Sequence, residues 1–180
     1  TAAAGFAAGT YTLFTYTGAL TNNIVSLGSM PAGRVYAIDT ATAGQVKLIV
    51  YPTVSAIVLA GADPTNATSV NFTATFNDSV TGVDTADFTL TTTGVSGASV
   101  SSVTPVSGAV YTVSVNTGSG SGTLRLDVAD NNTILSGGNP LGGPSAGDGT
   151  FTTGQLYTID KTPPIVSSIN LAGLDPTGDA

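Results

Sequence analysis

The chain has 180 residues, of which only four are basic and eleven are acidic, so its net charge is −7 at pH 7. Nucleic acids and anionic membrane surfaces select clustered Lys and Arg, and this composition argues against both as partners. His, Cys and Trp are absent, which excludes imidazole and thiolate chemistry, disulfides and zinc-thiolate sites. No apolar run approaches the ~20 residues of a spanning helix, so we expect no membrane insertion in this segment.

All the acidic residues are Asp, and Thr, Val, Gly and Ser dominate the sequence. The usual residues of exposed helices, Glu, Lys and Arg, are absent or rare, whereas β-branched residues favour strands. The composition therefore predicts an all-β protein. Hydrophobic residues make up 41% of the chain, enough for one ordinary core and a smaller one, and we expect two domains.

The first region, residues 1–51, contains three strand-like runs separated by Gly, Pro and Asn. They are GTYTLFTYTG at 9–18, RVYAID at 34–39 and QVKLIVY at 45–51, and they are rich in aromatic and β-branched residues. Three strands alone would make a poor core. We therefore expect this region to stack on a structure that precedes it.

An internal repeat opens the second region. The sequence PTVSAIVLAGADPT at 52–65 returns 112 residues later as PIVSSINLAGLDPT at 164–177. We interpret 52–163 as one complete unit and 164–180 as the first strand of a following repeat. The chain would then belong to a longer tandem array.

Three segments of the second region alternate apolar and polar residues. They lie at 71–77, 111–116 and 124–129. A period of two is typical of a strand with one face in a core and the other in water. Together with the turn-bearing segments between them, in a unit of about 110 residues, they predict a β-sandwich of immunoglobulin-like size.

In the first region, GTYTLFTYTG is followed by a PAG turn and then by VYAIDTATAGQVKLIV. This order resembles the closing rungs of autotransporter-type passenger β-solenoids. The resemblance implies a right-handed parallel β-solenoid that is secreted to the cell surface and is often adhesive. The other expectation for this region is a small β-sheet cap.

The second region carries VNFTATFNDSVTGVDTADFTL, GTLRLDVADNNTI, GGNPLGG and FTTGQLYTIDKTPPIV in that order. These segments resemble the bacterial Ig-like repeats of giant surface proteins over nearly the whole unit. The resemblance implies that IDKTPP is an interdomain linker, stiffened by its paired prolines. Relatives carry several Asp in the loop after Val128, where this chain has Asp130 followed by Asn131, Asn132 and Ser136.

Calcium is the only cofactor that the sequence suggests. It takes about six to eight oxygen ligands, which Asp-rich loops at domain junctions can supply. The candidate ligands are Asp63, Asp127, Asp130, Asp160 and Asp175. In the alternative interpretation, Asp63 and Asp175 are turn residues whose side chains bond local backbone ahead of a proline.

The sequence gives little support to catalysis. Asp84 and Asp87 in GVDTADF are the nearest pair of carboxylates, the groups that hydrolyse glycosides, but we interpret them as caps of a turn that leads into a strand at Phe88. The Gly runs at 118–122 and 142–143 lack the Lys and helix of a phosphate loop. We interpret them as hairpin loops and expect no enzymatic activity.

These observations favour an extracellular structural or adhesive protein at a bacterial cell surface, as a stalk or passenger segment of a large adhesin. The expected partners are neighbouring repeats of the same chain, other copies of it, or host or matrix surface ligands. A polysaccharide-binding module would need an exposed aromatic platform, and the placement of most Tyr and Phe in alternating core positions argues against it.

Self-assembly is the competing hypothesis. The segment 165–171 has no complete sandwich of its own, and its strand could add to another copy through main-chain hydrogen bonds. Its apolar residues are Ile165, Val166, Ile169 and Leu171. The protein would then be a filament or sheath subunit, and removal of 164–180 should separate the two hypotheses.

Overall fold

The computed structural model describes residues 6–21 and 27–170, and they confirm the prediction of an all-β protein. The one helical element among them is a short 3₁₀ turn at Thr85–Asp87. The strands of the first region are β1 (Gly9–Thr15), β2 (Val35–Asp39) and β3 (Gln45–Tyr51). Those of the second region are β4 (Val54–Leu59), β5 (Ser69–Phe76), β6 (Phe88–Thr93), β7 (Ser99–Pro105), β8 (Val110–Asn116), β9 (Gly122–Val128), β10 (Leu135–Ser136), β11 (Asn139–Pro140) and β12 (Leu156–Ile159).

The first region forms a three-stranded antiparallel sheet in the order β1-β3-β2. The expectation of parallel solenoid rungs is wrong for these strands, and a small β-sheet cap forms instead. The physical reason is the short connection at residues 40–44, which returns β3 directly alongside β2, whereas parallel neighbours need a long crossover. The central strand β3 buries Val46, Leu48 and Val50.

The second region is built from two antiparallel sheets that face each other. The strand order is β4-β5-β8-β7 in the first sheet and β12-β9-β6 in the second. Side chains from both sheets fill one core, which includes Ile57, Val70, Phe72, Ala74, Phe76, Tyr111, Val113, Val115, Phe88, Leu124, Leu126, Val128, Tyr157 and Ile159. The region is therefore a β-sandwich, and the apolar positions of the alternating segments are its core face.

Two aromatic pairs lie in the core: Phe72 and Tyr157 meet between the two sheets, whereas Phe76 and Tyr111 lie on neighbouring strands of one sheet. The rings of Phe72 and Tyr157 meet edge to face at 5.1 Å, and those of Phe76 and Tyr111 at 5.8 Å. Each buried tyrosine hydroxyl has a partner, since Tyr157 donates to the carbonyl of Asn71 and Tyr111 to that of Val80, both at 2.9 Å. The edge-to-face geometry is the preferred one, and satisfied hydroxyls remove the cost of burying a polar group.

The Gly run at 118–122 is not a hairpin loop, because it lies in the connection that carries the chain from β8 in one sheet to β9 in the other. It packs on the β6–β7 connection, where Ser96 and Ser119 exchange backbone hydrogen bonds at 2.9 Å. Gly118 has a φ of 61°, and a Cβ there would lie 2.1 Å from the carbonyl oxygen of Ser96. Close backbone approach between the β8–β9 and β6–β7 connections is therefore the reason for glycine at this position.

Candidate functional site

The two copies of the repeat have opposite environments. In the first copy, Val54–Leu59 forms β4, an edge strand that pairs with β5 and places Ile57 in the core with 2% of its surface exposed. The side of β4 that faces away from β5 is fixed by Gln155, whose backbone donates to the carbonyl of Ile57 and whose side chain accepts from the amide of Leu59. This sequence thus specifies an edge strand of a sandwich.

The second copy is described as far as Asn170, and it forms no strand in the part that the structure describes. Ile165, Val166 and Ile169 are 89%, 78% and 90% exposed. Leu171, the fourth residue of the predicted assembly strand, lies outside the described residues. Ile169 occupies the position that Ile57 has in the first copy, so the matching isoleucine is buried in one copy and exposed in the other.

Between β12 and the second copy, the linker 160–164 is tied to the sandwich. We call the sandwich end from which it leaves the linker end. The ammonium of Lys161 donates to the hydroxyl of Thr117 at 2.9 Å and to the carbonyl of Gly118, and its backbone amide donates to the hydroxyl of Ser121 at 2.8 Å. The hydroxyls of Ser121 and Thr162 lie 3.2 Å apart.

Asp160, the first residue of the linker, bonds both to the sandwich and to the linker itself. Its amide donates to the carbonyl of Thr65 at 2.9 Å, and its carboxylate accepts from the amide of Thr162 at 3.0 Å. Hydrogen bonding from the backbone of Thr162 lowers the pKa of the Asp160 carboxyl. The carboxylate therefore acts as a turn acceptor at neutral pH.

The other candidate calcium ligands are also engaged with protein donors. Asp63 accepts from the backbone amide of Thr158 in β12, so its partner is distant in sequence and not the local backbone that the turn interpretation expected. The carboxylate of Asp127 forms an ion pair with the guanidinium of Arg125 at 2.7 Å and accepts from the hydroxyl of Thr91 at 2.6 Å.

Asp130 organises the loop after β9. Its carboxylate accepts from the backbone amides of Asn132, Gly147 and Gly149, each at 3.0 Å. Asp175 lies outside the described residues. Within residues 6–21 and 27–170, the structure brings no three carboxylates together in a group that could hold a metal ion.

Asp84 and Asp87 have the role predicted for them as caps. The carboxylate of Asp84 accepts from the amide of Ala86, and that of Asp87 accepts from the amide of Asp84, each at 2.7 Å. Asp87 is fully buried, and it also accepts from the hydroxyl of Thr133 at 2.7 Å. Burial raises the pKa of this carboxyl against the opposing effect of its hydrogen bonds.

The small sheet is joined to the sandwich at the end opposite the linker, which we call the cap end. Arg34 forms an ion pair with Asp78 at 2.7 Å, and Thr53 donates to the carbonyl of Gly33 at the same distance. The side chain of Asn139 donates to the carbonyl of Val50 at 3.3 Å. The small sheet therefore has the sandwich as a packing partner.

We expect Arg34→Gln to lower the free energy of unfolding by about 1 to 2 kcal/mol, because Asp78 is nearly buried and would lose its charged partner. Urea denaturation followed by tyrosine fluorescence measures the loss. Lys47→Gln removes the same charge from a side chain that binds only the hydroxyl of Thr42 among described residues. An equal loss in both variants would show that net charge, and not the ion pair, is responsible.

An open groove of about 470 Å³ lies between β6 and β7, the edge strands of the two sheets. Phe88, Leu90, Ala98 and Val100 are among its lining residues, none of which is charged. No described helix is long and apolar enough to span a membrane. Among the described residues, the groove-facing edges of β6 and β7 pair with no other strand, and the segment 165–169 exposes apolar side chains.

Comparison with known proteins finds no match to the chain among protein-family models, curated proteins or solved structures. The two family resemblances therefore stay predictions.

Two contacts that define the ends of the sandwich were missed by sequence reasoning, the Arg34 ion pair and the Lys161 contacts. A signal for both was present, since a chain with only four basic residues has few cations to pair its carboxylates and carbonyls. Arg34 precedes the second region and Lys161 ends it. The position of such rare residues at two junctions was informative.

Proposed function

We propose that the chain is a non-enzymatic structural segment of an extracellular bacterial surface protein, serving as a stalk or passenger segment of a large adhesin. The observation that carries the proposal is the repeat: its first copy is the edge strand β4 of a sandwich, and its second copy follows the last strand of that sandwich with its apolar residues exposed. A further sandwich would use the second copy as its own β4.

The strand order supports an immunoglobulin-like repeat. In seven-stranded domains of that type, strands A, B, E and D form one sheet and strands C, F and G the other. Named in chain order from β4, without the short β10 and β11, the strands of this sandwich have the order A-B-E-D and G-F-C. Such domains are common in extracellular arrays, in which they act as spacers.

The outward face of the four-stranded sheet suits a soluble shaft. Thr73 and Thr112 are cross-strand partners on it, as are Asn71 and Ser114, so the face is hydroxylated and uncharged. Stacked sandwiches would hold a distal binding region away from the cell. The partners in this arrangement are neighbouring repeats, and host or matrix ligands would bind elsewhere in the protein.

Surface labelling tests the proposed location. Antibodies raised against the chain should label intact, unpermeabilised cells of the bacterium that produces it. Labelling that appears only after permeabilisation would overturn the extracellular assignment.

The alternative, a self-assembling filament or sheath subunit, is favoured by one observation. Ile165, Val166 and Ile169 are exposed on a segment whose sequence forms an edge strand elsewhere in the chain. Added to the free edge of another copy, this segment would bury its apolar side chains. A head-to-tail contact of that kind generates open fibres.

Removal of 164–180 distinguishes the two proposals. As a stalk segment, the full chain should be a monomer near 17.7 kDa in light scattering at all concentrations, and the truncation should leave its thermal midpoint unchanged. As a filament subunit, the full chain should form regular fibres in negative-stain electron microscopy, and the truncation should abolish them. Ile165→Ser with Ile169→Ser is the matched variant of full length, which should also abolish fibres.

A further inference from the structure

The linker 160–164 makes more contacts with its own sandwich than a flexible tether needs. Thr117, at the start of the β8–β9 connection, is fully buried, and its hydroxyl donates to the carbonyl of Ala67 at 2.7 Å. The same hydroxyl oxygen accepts from the ammonium of Lys161. The lysine is thus held by a buried side chain whose own position is fixed by a hydrogen bond to the backbone of the β4–β5 connection.

The second attachment is independent of the first. Ser121, next to the start of β9, accepts from the backbone amide of Lys161 and lies within hydrogen-bond distance of the Thr162 hydroxyl. The hydroxyl of Ser121 therefore contacts backbone on one side and a side chain on the other. Thr117 and Ser121 together contact the linker at three groups: the ammonium of Lys161, its backbone amide and the hydroxyl of Thr162.

Two prolines follow directly. Pro163 and Pro164 have their φ angles fixed by their rings, and each proline restricts the residue before it to extended conformations. The attachment of Lys161 and Thr162 therefore sets the direction of the chain through Pro164, with little freedom between the sandwich and the second copy of the repeat.

We propose that residues 160–164 form a locked joint, in which Lys161 is clamped by Thr117 and Ser121, and which sets the direction in which 165–170 leaves the sandwich. The joint is a property of the described chain itself. Its consequence for a following repeat rests on the proposed function: the next sandwich would begin at a fixed angle, and an array would be a stiff rod, since hinge motion at Lys161 would break the clamp.

Trypsin provides a direct test on the full chain, because it cleaves after Lys and Arg and the clamp covers one of only four such residues. Proteolysis of a native protein tracks the population of the locally open state. Cleavage at Lys161, measured as release of 162–180 by mass spectrometry, should be at least about tenfold slower in the folded chain than in a synthetic peptide of residues 155–170.

Two variants remove the clamp without removing the cleavage site. Ser121→Ala deletes an exposed hydroxyl, and Thr117→Val deletes the buried one while it preserves the side-chain shape. Each should raise the cleavage rate at Lys161 several-fold. Ser101→Ala is the matched control, since it deletes an exposed hydroxyl that donates to the carbonyl of Ser114 in the sheet, away from the linker. Cleavage at Arg125, inside β9, reports global unfolding and should not change in Ser121→Ala.

Cleavage of the wild-type chain at the rate of the peptide would overturn the proposal, as would an unchanged rate in Ser121→Ala and Thr117→Val. Faster cleavage at both Lys161 and Arg125 would also count against it, because the variants would then act through global stability. None of these outcomes depends on surface labelling or fibre formation, so failure of the joint and failure of the proposed function are distinguishable.

Discussion

Replacement of Ile57 by Ala is expected to lower the free energy of unfolding by about 3 kcal/mol. Ile57 is 2% exposed in β4 and packs in the core shared by both sheets. Truncation removes buried methyl groups and leaves a cavity that the surrounding strands fill only in part. Its backbone hydrogen bond with Gln155 remains, so the loss reports packing. Equilibrium denaturation in urea, followed by tyrosine fluorescence, measures it.

The chain provides a matched control at the same position of the repeat. Ile169 is identical in type and aligns with Ile57, but it is 90% exposed. Ile169→Ala should therefore change the free energy of unfolding by less than about 0.5 kcal/mol. A loss in Ile169→Ala close to that in Ile57→Ala would contradict the exposed placement of the second copy and would mean that 164–170 packs on a folded surface in solution.

The pair of variants also separates stability from assembly. In the stalk proposal, Ile169→Ala has no effect on the isolated chain, because the partner sandwich is the next repeat. In the filament proposal, it weakens fibres while the midpoint of the dissociated subunit stays the same. In both proposals, Ile57→Ala lowers the stability of the isolated subunit, because Ile57 lies in its own core.

The strands and their buried faces could be predicted from the sequence because alternation is a local property. Side chains alternate between the two faces of a strand, so Phe72, Ala74 and Phe76 share one face of β5. The structure buries all three. The same holds for Val113 and Val115 in β8. The capping role of Asp87 could also be predicted, since an Asp in a short turn that leads into a strand is a local signal.

Strand pairing could not be predicted from the sequence, because it depends on contacts between residues that are distant along the chain. The Gly-rich segment near Gly118 was interpreted as a hairpin loop, but glycines serve a crossing between sheets equally well. The small sheet was expected to be parallel by resemblance, and the short connection from β2 to β3 decided otherwise. The alternative interpretation of Asp63 as a turn residue placed its acceptor contact in the local backbone, and the carboxylate instead accepts from Thr158.

The candidate site was predictable in part. The repeat predicted that 164–180 is the first strand of a following repeat, since two similar sequences have the same local preferences. The exposure of Ile169 and the clamp on Lys161 were not predictable, because they depend on which surface the fold places beside the linker. Calcium ligands were predicted from the positions of Asp residues alone. Each of those carboxylates that the structure describes accepts hydrogen bonds from groups of the protein.

We expect the second large effect at the buried carboxylate of Asp87, where Asp87→Ala should cost about 3 kcal/mol. The substitution removes the acceptor of the Asp84 amide and the buried partner of the Thr133 hydroxyl, which keeps only the side-chain oxygen of Asn131. Asp87→Asn is the matched variant: its amide oxygen can still accept from Asp84, and its NH₂ can donate to the Thr133 hydroxyl after that group rotates. It should cost about 1 kcal/mol or less.

The pH dependence gives Asp87 a separate signature. Because burial raises the pKa of its carboxyl in the folded state, the folded chain binds this proton more tightly than the unfolded chain does. Stability from this group therefore falls as pH rises from the unfolded pKa of 3.8 to the folded pKa, and is constant above it. Asp87→Asn has no such proton. The difference in unfolding free energy between wild type and Asp87→Asn should thus shift in favour of wild type as pH is lowered through the folded pKa to 3.8. A difference that shifts the other way over that range would contradict the buried carboxylate with a raised pKa.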